Sequence, residues 1–207
     1  MKKDTATREK ILMAARAVFV EKGQEGARMQ EISERAGVNK ALLHYYFTSK
    51  DNLYREIFTD AFNDLLDNFY MLTQLDLSLK EQLEQFIEKH FDFLARNQDL
   101  VRLIAREATR ANSLLNDFLP KLISLKASNL RNNIFNSFNE AIRKGEIDAC
   151  DPSQVMINII GMNAFYFVAK PIVDSIFPEV TENQAEFLEQ RKLVIKKMAL
   201  NGIFKSR

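Results

Sequence analysis

The sequence predicts an all-α protein of about nine helices. Three observations carry this prediction. The 207 residues include only 6 Gly and 4 Pro, so few loops interrupt the chain. Residues with high helix propensity dominate, and apolar residues recur three and four positions apart. Few segments show the alternation of apolar and polar residues that a strand requires. With 46% hydrophobic residues, the chain can bury a sizeable core in one or two domains.

The first fifty residues predict three short helices with clear ends. Thr7 is a suitable N-cap for the first helix, and Gly23 is a suitable stop. Gly37 ends the second helix, because glycine readily adopts the positive φ of a tight turn. Asn39 caps the third. The predicted helices span residues 7–22, 29–36 and 40–47.

Longer helices follow. Ser49 or Asp51 caps the fourth, and Pro152 suits the first turn of the eighth. Pro120 is tolerated only near a first turn or at a break, and Pro171 is expected to kink or end its helix early. The remaining predicted helices run from the cap at 49 or 51 to 72, and over 79–97, 99–112, 114–144, 152–177 and 184–204.

Charge is distributed unevenly along the chain. Residues 1–50 hold ten Lys or Arg and six Asp or Glu, whereas residues 51–207 hold nineteen and twenty-two. The net charge of the whole chain is only +1. Such asymmetry is a modest hint of a segment that faces nucleic acid, although chance also explains an excess of this size. We expect two domains, residues 1–50 and 51–207.

The stretch AGVNKALLHYYFTSKDNLY, residues 36–54, predicts the second helix of a helix-turn-helix motif. Leu43 and Phe47 lie four residues apart and, with Val38, face the first two helices. The opposite surface is then left for DNA. Periodicity alone also fits an ordinary amphipathic core helix, and this alternative stays open.

If this helix binds DNA, its exposed side chains have two roles. Lys40 suits the acceptors of guanine, and Ala41 suits the methyl group of thymine. His44 and Tyr45 extend this surface by one turn. Flanking residues such as Lys50 suit phosphate oxygens, which position a protein on DNA without reading its sequence.

The run G37-V38-N39-K40-x-x-L43-x-Y45-Y46-F47-x-S49-K50-x-x-L53 resembles the signature of the TetR family of bacterial transcriptional regulators. TREKILMAARAVFVEKG and QEISERAG resemble that family's first two helices. The resemblance implies a dimer that binds a pseudo-palindromic double-stranded DNA operator and is released by a small apolar or amphipathic effector. It implies DNA contacts at Arg28, Met29, Gln30, Lys40, Ala41, Leu42, His44, Tyr45, Tyr46 and Lys50.

The larger domain is rich in aromatic residues, since fourteen of the sixteen Phe follow residue 50. Most such residues form core, but a cavity lined by aromatic and Met side chains is what an apolar effector needs. The candidate ligand contacts are Phe86, Phe93, Phe135, Phe138, Met162, Asn163, Phe165 and Tyr166.

The last two long helices, 152–177 and 184–204, are expected to form the homodimer interface. The first of them is apolar on almost every face, so it must be central or meet a partner. Gly161 and Ala164 are small enough for close helix approach. Two copies of the pair make a four-helix interface.

Other classes of protein find little support in the sequence. No metal-ligand spacing, phosphate-binding glycine loop or nucleophile motif is present, so we expect no enzyme, no cofactor and no metal site. Cys150 is the single cysteine, which fits a reducing cytoplasm. The N-terminus does not read as a secretory signal, and residues 155–169 are too short to span a bilayer. The alternatives kept are a small-molecule-binding or protein-interaction module of the same fold, and an activator instead of a repressor.

Overall fold

The computed structural model describes residues 2–110 and 114–205, and in that part of the chain the regular structure is helical. The helices are α1 (Lys2–Gly26), α2 (Met29–Ala36), α3 (Lys40–Tyr46), α4 (Lys50–Leu72), α5 (Leu79–Arg96), α6 (Gln98–Ala108), α7 (Leu114–Arg143), α8 (Pro152–Val168), α9 (Lys170–Ile176), α10 (Glu179–Glu182) and α11 (Gln184–Ile203). The all-α prediction is confirmed.

The chain divides into two compact units. Unit 1 comprises Met1–Asp64 and Asp99–Ser124, and unit 2 comprises Leu65–Gln98 and Leu125–Arg207. This structural division differs from the expected boundary at residue 50, because the first part of α4, nearly all of α6 and the start of α7 join the N-terminal helices. The functional division at residue 50 stays a prediction.

Unit 1 is built around a core of aliphatic and aromatic side chains from α1, α3 and α4. Ile11 and Phe19 of α1 are fully buried, as is Leu43 of α3. The ring of Tyr54 meets that of Phe19 edge-on at 4.8 Å between centroids. Burying each such side chain contributes roughly 1.5–3 kcal/mol. This core fixes the orientation of the short helices α2 and α3.

Unit 2 is organised around α5, which packs against α8 and α11. Ser78 and Glu81 form a capping box that starts α5. Lys192 of α11 lies 2.9 Å from the Asp92 carboxylate, and Lys196 lies 2.6 Å from the Glu88 carboxylate. These two pairs are spaced by four residues on both helices, so they hold α11 in one register along α5.

Most helix ends lie close to where local sequence signals predicted them, and the ends that differ have physical causes. α1 begins at Lys2 and not at Thr7, and it continues past a break at Gly23, where φ is 72°. The predicted helix 152–177 divides into α8 and α9 just before Pro171, as expected, and the short α10 was not predicted. α6 ends at Ala108 and not at Asn112, which lies outside the described residues. The count of helices is therefore eleven in the described ranges, against about nine expected.

Candidate nucleic-acid interface and ligand cavity

A left-handed glycine joins α2 to α3. Gly37 has φ 66° and ψ 33°, and its N–H donates to the carbonyl oxygens of the last turn of α2. The N–H of Val38 donates to the Ser33 oxygen at 3.0 Å, which completes the C-terminal cap. Asn39 Oδ1 then accepts from the N–H of Leu42 at 2.7 Å. Three residues, 37–39, therefore connect α2 to α3, as the sequence predicted.

The inward face of α3 packs into the core of unit 1. Leu43 is fully buried and Phe47 is 1% exposed. The Arg8 guanidinium lies 5.8 Å from the centre of the Phe47 ring, and it also pairs with Glu56 and Asp60 of α4 at 2.7 Å. The hydrogen bonds to Asp60 and Glu56 raise the pKa of Arg8, although burial opposes them. The inward packing predicted for Leu43 and Phe47 is confirmed.

The outward face of α3 is open. Lys40, Ala41, His44 and Tyr45 are exposed, and Tyr45 retains 78% of its full exposure. Its ring meets that of Tyr46 edge-on at 5.4 Å between centroids and stays exposed. The other predicted DNA contacts are exposed at Arg28 and Gln30 and half-buried at Met29, Leu42, Tyr46 and Lys50.

Positive charge near this face is only partly neutralised. Among the described residues, neither Arg28 nor Lys40 forms an ion pair. By contrast, Lys22 pairs with Glu31 at 2.7 Å, and Arg35 pairs with Glu21 at 2.7 Å. The hydrogen bond from Arg35 lowers the pKa of Glu21. Arg28 and Lys40 are both among the residues that the sequence assigned to DNA.

Arg28 occupies the N-cap position of α2 without capping it. Its backbone is extended, and its side chain accepts no hydrogen bond from the first turn. The free N–H groups of this helix end carry partial positive charge, which adds to that of the guanidinium. The start of α2 is therefore an electropositive end of the kind that suits a phosphate.

Lys50 has a structural role that sequence reasoning missed. Its Nζ donates to the backbone oxygens of Glu25 and Ala27 at 3.1 and 3.2 Å. These bonds tie the start of α4 to the connection between α1 and α2. An ammonium group has three N–H donors, so one remains. The assignment of Lys50 to a phosphate contact stays a prediction.

Within unit 1, α6 is clamped to α1 by arginines. The Arg16 guanidinium pairs with the Asp99 carboxylate, with Nε 2.6 Å from Oδ2. Burial opposes ionisation, but the bonds from Arg16 keep the pKa of Asp99 below its usual value. Arg106 Nη2 donates to the Phe19 oxygen at 3.2 Å, and a Cβ at Gly23 would lie only 2.6 Å from the same nitrogen.

Unit 2 contains a small apolar cavity between α4, α5, α7 and α8, called the inner cavity below. Its volume is about 50 Å³. Of the eight ligand contacts predicted from the sequence, Phe86 lines it. The lining residues are Phe69, Leu72, Thr73, Gln82, Phe86, Leu130, Ile134 and Met156. The spacing of Gln82 and Phe86, one turn apart on an apolar helix face, is the signal that could have found Gln82.

The other seven predicted ligand contacts do not line the inner cavity. Phe165 and Tyr166 line a separate, outer cavity of about 380 Å³ with Val173, Phe177, Glu179, Phe187 and Arg191. Phe138 is fully buried core, and Phe135 lies under the guanidinium of Arg131 at 4.3 Å. Phe93 and Met162 are half-buried.

Asn163, the remaining candidate, forms a buried pair with His90. Its Nδ2 donates to the Ile87 oxygen at 3.2 Å and lies 3.1 Å from His90 Nδ1. An amide nitrogen is a donor, so Nδ1 must accept, and the ring proton lies on Nε2. Burial lowers the pKa of His90 to about 4, so the ring is neutral at pH 7.

In the described part of the chain, no single helix has the length and apolar composition needed to cross a membrane. Only α8 and α9 counted together have that length and composition, and the break between the two helices bends the chain by 74°.

Two family descriptions match the chain. "Bacterial regulatory proteins, tetR family" covers residues 11–57, which include the whole helix-turn-helix, and "Tetracyclin repressor-like, C-terminal domain" covers residues 80–197. The second match alone spans more than half of the chain. The chain belongs to the tetR family of bacterial regulatory proteins. The resemblance predicted from the sequence is confirmed.

Several known regulators are similar to this family member. The transcriptional activator FasR of Mycolicibacterium smegmatis is 33% identical over 97 residues, 47% of this chain and 44% of that protein. The transcriptional repressor NicS of Pseudomonas putida is 32% identical over 102 residues, 49% of this chain and 48% of that protein. The aligned stretch spans about half the length of these curated relatives.

Among solved structures, FadR from Bacillus subtilis in complex with stearoyl-CoA has the same fold. Its TM-score to this chain is 0.71, at 21% identity, and the match covers 94% of this chain and 98% of that one. The similarity of fold therefore extends over both units of the tetR-family chain, beyond the segment in which its sequence matches FasR and NicS.

Proposed function

We propose that this protein is a transcriptional regulator that binds double-stranded DNA through residues 1–50 and senses a small molecule through residues 51–207. One observation carries the proposal. α3 buries Leu43 and Phe47 while it leaves Lys40, His44 and Tyr45 exposed beside the uncapped, cationic start of α2. A core helix has no physical need for that outer face, whereas a recognition helix in a major groove requires it.

A second chain is expected to complete the DNA-binding form. α8, α9 and α11 leave large apolar side chains in solvent, which is costly unless a partner covers them. Residues of α8 recur on one face, at positions 157, 160, 165 and 168. The exposed set is Ile157, Ile160, Phe165, Val168, Ile172, Ile176, Phe177, Leu193, Val194 and Met198. This supports a homodimer through the last long helices and a two-fold symmetric operator.

The effector is proposed to be apolar or amphipathic and to bind in unit 2. The inner cavity and its aromatic lining support this, and so does the stearoyl-CoA bound by the FadR relative of the same fold. Repression is the proposed output, with release of the operator on effector binding. NicS is a repressor and FasR an activator, so relatives of both kinds exist.

The test is selection of bound fragments from a random pool of double-stranded DNA, with the Lys40→Ala/Tyr45→Ala double variant run in parallel. We expect the wild type to enrich a two-fold symmetric site with half-sites about one helical turn apart, roughly 34–36 Å. The double variant should not enrich it. If neither protein enriches any sequence at low salt, the proposal is wrong and the outer face of α3 has another purpose.

A further inference from the structure

The outer cavity of unit 2 is large enough to hold a small organic molecule. Its volume, about 380 Å³, lies within the range of small-molecule sites, roughly 300–1,000 Å³. It shares no described lining residue with the inner cavity, so the two are separate places in unit 2. Its apolar walls are formed by Phe165, Val173, Phe177 and Phe187.

Two hydrogen-bond donors at the outer cavity have no acceptor. Tyr166 is 1% exposed, and its hydroxyl has no hydrogen-bond partner among the described residues. The Nε–H of Arg191 is also buried and lacks a partner in the same part of the chain. Nη2 of that guanidinium donates to the Met162 oxygen, at 3.3 Å. Buried polar groups are nearly always hydrogen-bonded, so two unsatisfied donors at one cavity indicate a missing acceptor.

The positive charge of Arg191 is also left without a counter-ion. Burial lowers the pKa of Arg191, and no neighbouring carboxylate opposes this effect. Glu179 lines the cavity but is exposed, so water and salt screen its charge. The nearby cation Lys170, whose ammonium lies 5.7 Å from the centre of the Tyr166 ring, already pairs with Asp174. The uncompensated charge at this cavity is therefore positive.

We propose that the outer cavity binds an organic carboxylate with an aromatic or aliphatic body, at a site separate from the inner cavity. An ionised carboxylate only accepts hydrogen bonds, so it matches the Arg191 Nε–H and the Tyr166 hydroxyl. The body of the molecule packs against the phenylalanine side chains of the wall. A phosphate monoester fits less well, because its charge of about −1.5 to −2 exceeds that of one guanidinium.

The inference goes beyond the proposed function and does not depend on it. It concerns which molecule unit 2 binds, whereas the proposed function is tested by DNA selection without any added ligand. A protein that binds the carboxylate but selects no DNA sequence would support the site and reject only the regulator proposal.

Three probes of similar shape separate the sign of the charge. 3-Phenylpropanoate, 3-phenylpropanamide and 3-phenylpropylamine share a ring and a chain of three carbons, and they end in an anion, a neutral amide and a cation. Titration calorimetry of the full-length wild-type chain, in a buffer free of carboxylates, should give a dissociation constant about tenfold lower for the acid than for the amide, because hydrogen bonds between charged groups are stronger. The amine should bind most weakly.

Two variants connect this preference to the outer cavity. Arg191→Met removes the cation and keeps an apolar side chain, so the acid and the amide should bind with nearly equal affinity. Tyr166→Phe removes one hydroxyl and should weaken binding of the acid several-fold. Lys197→Met, at an exposed position of α11, is the matched control and should keep the wild-type preference. The comparison of probes on the wild type needs no variant, and so it stands even if a variant folds poorly.

Four results would overturn the inference. Equal binding of acid and amide to the wild type removes Arg191 as the anchor, and tightest binding of the amine assigns the cavity to Glu179 instead. An acid preference that survives in Arg191→Met places the site elsewhere. Binding of none of the probes rejects the cavity as a ligand site. A carboxylate side chain of the partner subunit would give this last result, since Phe165 and Phe177 belong to the apolar surface assigned to the homodimer.

Discussion

At the scale of single residues, one amino group in this protein bonds two backbone oxygens and keeps a third donor. Lys50 Nζ donates to the backbone oxygens of Glu25, in the last turn of α1, and Ala27, just after it, and retains one N–H donor. Loss of DNA binding in a Lys50 variant is therefore not sufficient evidence of a DNA contact, because removing the side chain also changes the stability of unit 1.

We expect Lys50→Met to lower the free energy of unfolding by about 1–2 kcal/mol, because two carbonyl groups lose a charged donor. Urea unfolding followed by circular dichroism measures the change. Lys80→Met, at an exposed position of α5 in unit 2, is the control and should change stability little. An unchanged stability in Lys50→Met would show that the two hydrogen bonds do not contribute.

The burial of His90 makes the free energy of unfolding depend on pH. Burial lowers the pKa of His90 to about 4, from its ordinary value of 6.5. Between these values the unfolded chain binds a proton that the folded chain does not, so the free energy of unfolding falls as pH decreases from about 6.5 to 4. Phe69, Phe86 and Asn163 surround the ring, and none of these side chains is titratable in this range.

We therefore expect His90→Gln to remove part of the acid sensitivity. At pH 4.5 the His90 contribution is roughly 2–3 kcal/mol relative to pH 7.5, from the difference in pKa. Urea unfolding at a series of pH values gives the slope for each protein. His44→Gln, on the exposed face of α3, should follow the wild type. Parallel pH curves for wild type and His90→Gln would contradict the buried, neutral assignment.

At the scale of elements, α2 combines a strong C-terminal stop with a weak start. Gly37 caps the end through its left-handed conformation, but Arg28 leaves the first N–H groups without a side-chain acceptor. Glu31 stands three residues after Arg28, which is the spacing of a capping box. The start of α2 is therefore less stable than a capped start would be, but its cation and its free N–H groups suit a phosphate.

Arg28→Ser is expected to stabilise the protein and to weaken its DNA binding. The serine hydroxyl can complete the capping box with Glu31, which contributes about 1 kcal/mol relative to alanine at the same position. Arg28→Ala is the matched control, since it loses the same charge without gaining a cap. Both variants should reduce the salt dependence of DNA binding by about one phosphate contact. Equal stability of the Ser and Ala variants would contradict the description of this cap.

Helix ends in this chain were predictable where the signal is local. Gly37 and Asn39 mark the turn before α3, and Pro171 marks the break between α8 and α9, because each acts through its own backbone or nearest neighbours. The start of α1 was missed because a side-chain cap is favourable but not required for a helix to begin.

The ligand cavity was much less predictable than the helices. Phe86 lines the inner cavity while Phe138 is plain core, although both sit on apolar helix faces. Which aromatic ring borders empty space depends on how α4, α5, α7 and α8 meet, and helical periodicity does not contain that information. The structural role of Lys50 was missed for the same reason, since its two acceptors are more than twenty residues away.

At the scale of the whole molecule, the exposed apolar residues of α8, α9 and α11 predict an obligate partner. We expect Phe165→Glu/Met198→Glu to sediment as a monomer at micromolar concentration with an unchanged helical content, because both side chains are more than 60% exposed in one chain. Gln154→Glu, which adds a charge at an exposed polar position of α8, should remain dimeric. A double variant that still sediments as a dimer would place the interface elsewhere.

The most direct test of the regulator account is the composition of its complex with DNA. Sedimentation velocity on the selected duplex, with separate absorbance signals for protein and labelled DNA, gives the number of chains bound. The account predicts an even number of chains, two for each symmetric site, and no complex for Lys40→Ala/Tyr45→Ala. A single chain bound to each symmetric site, or equal binding to a duplex of scrambled sequence, would contradict it.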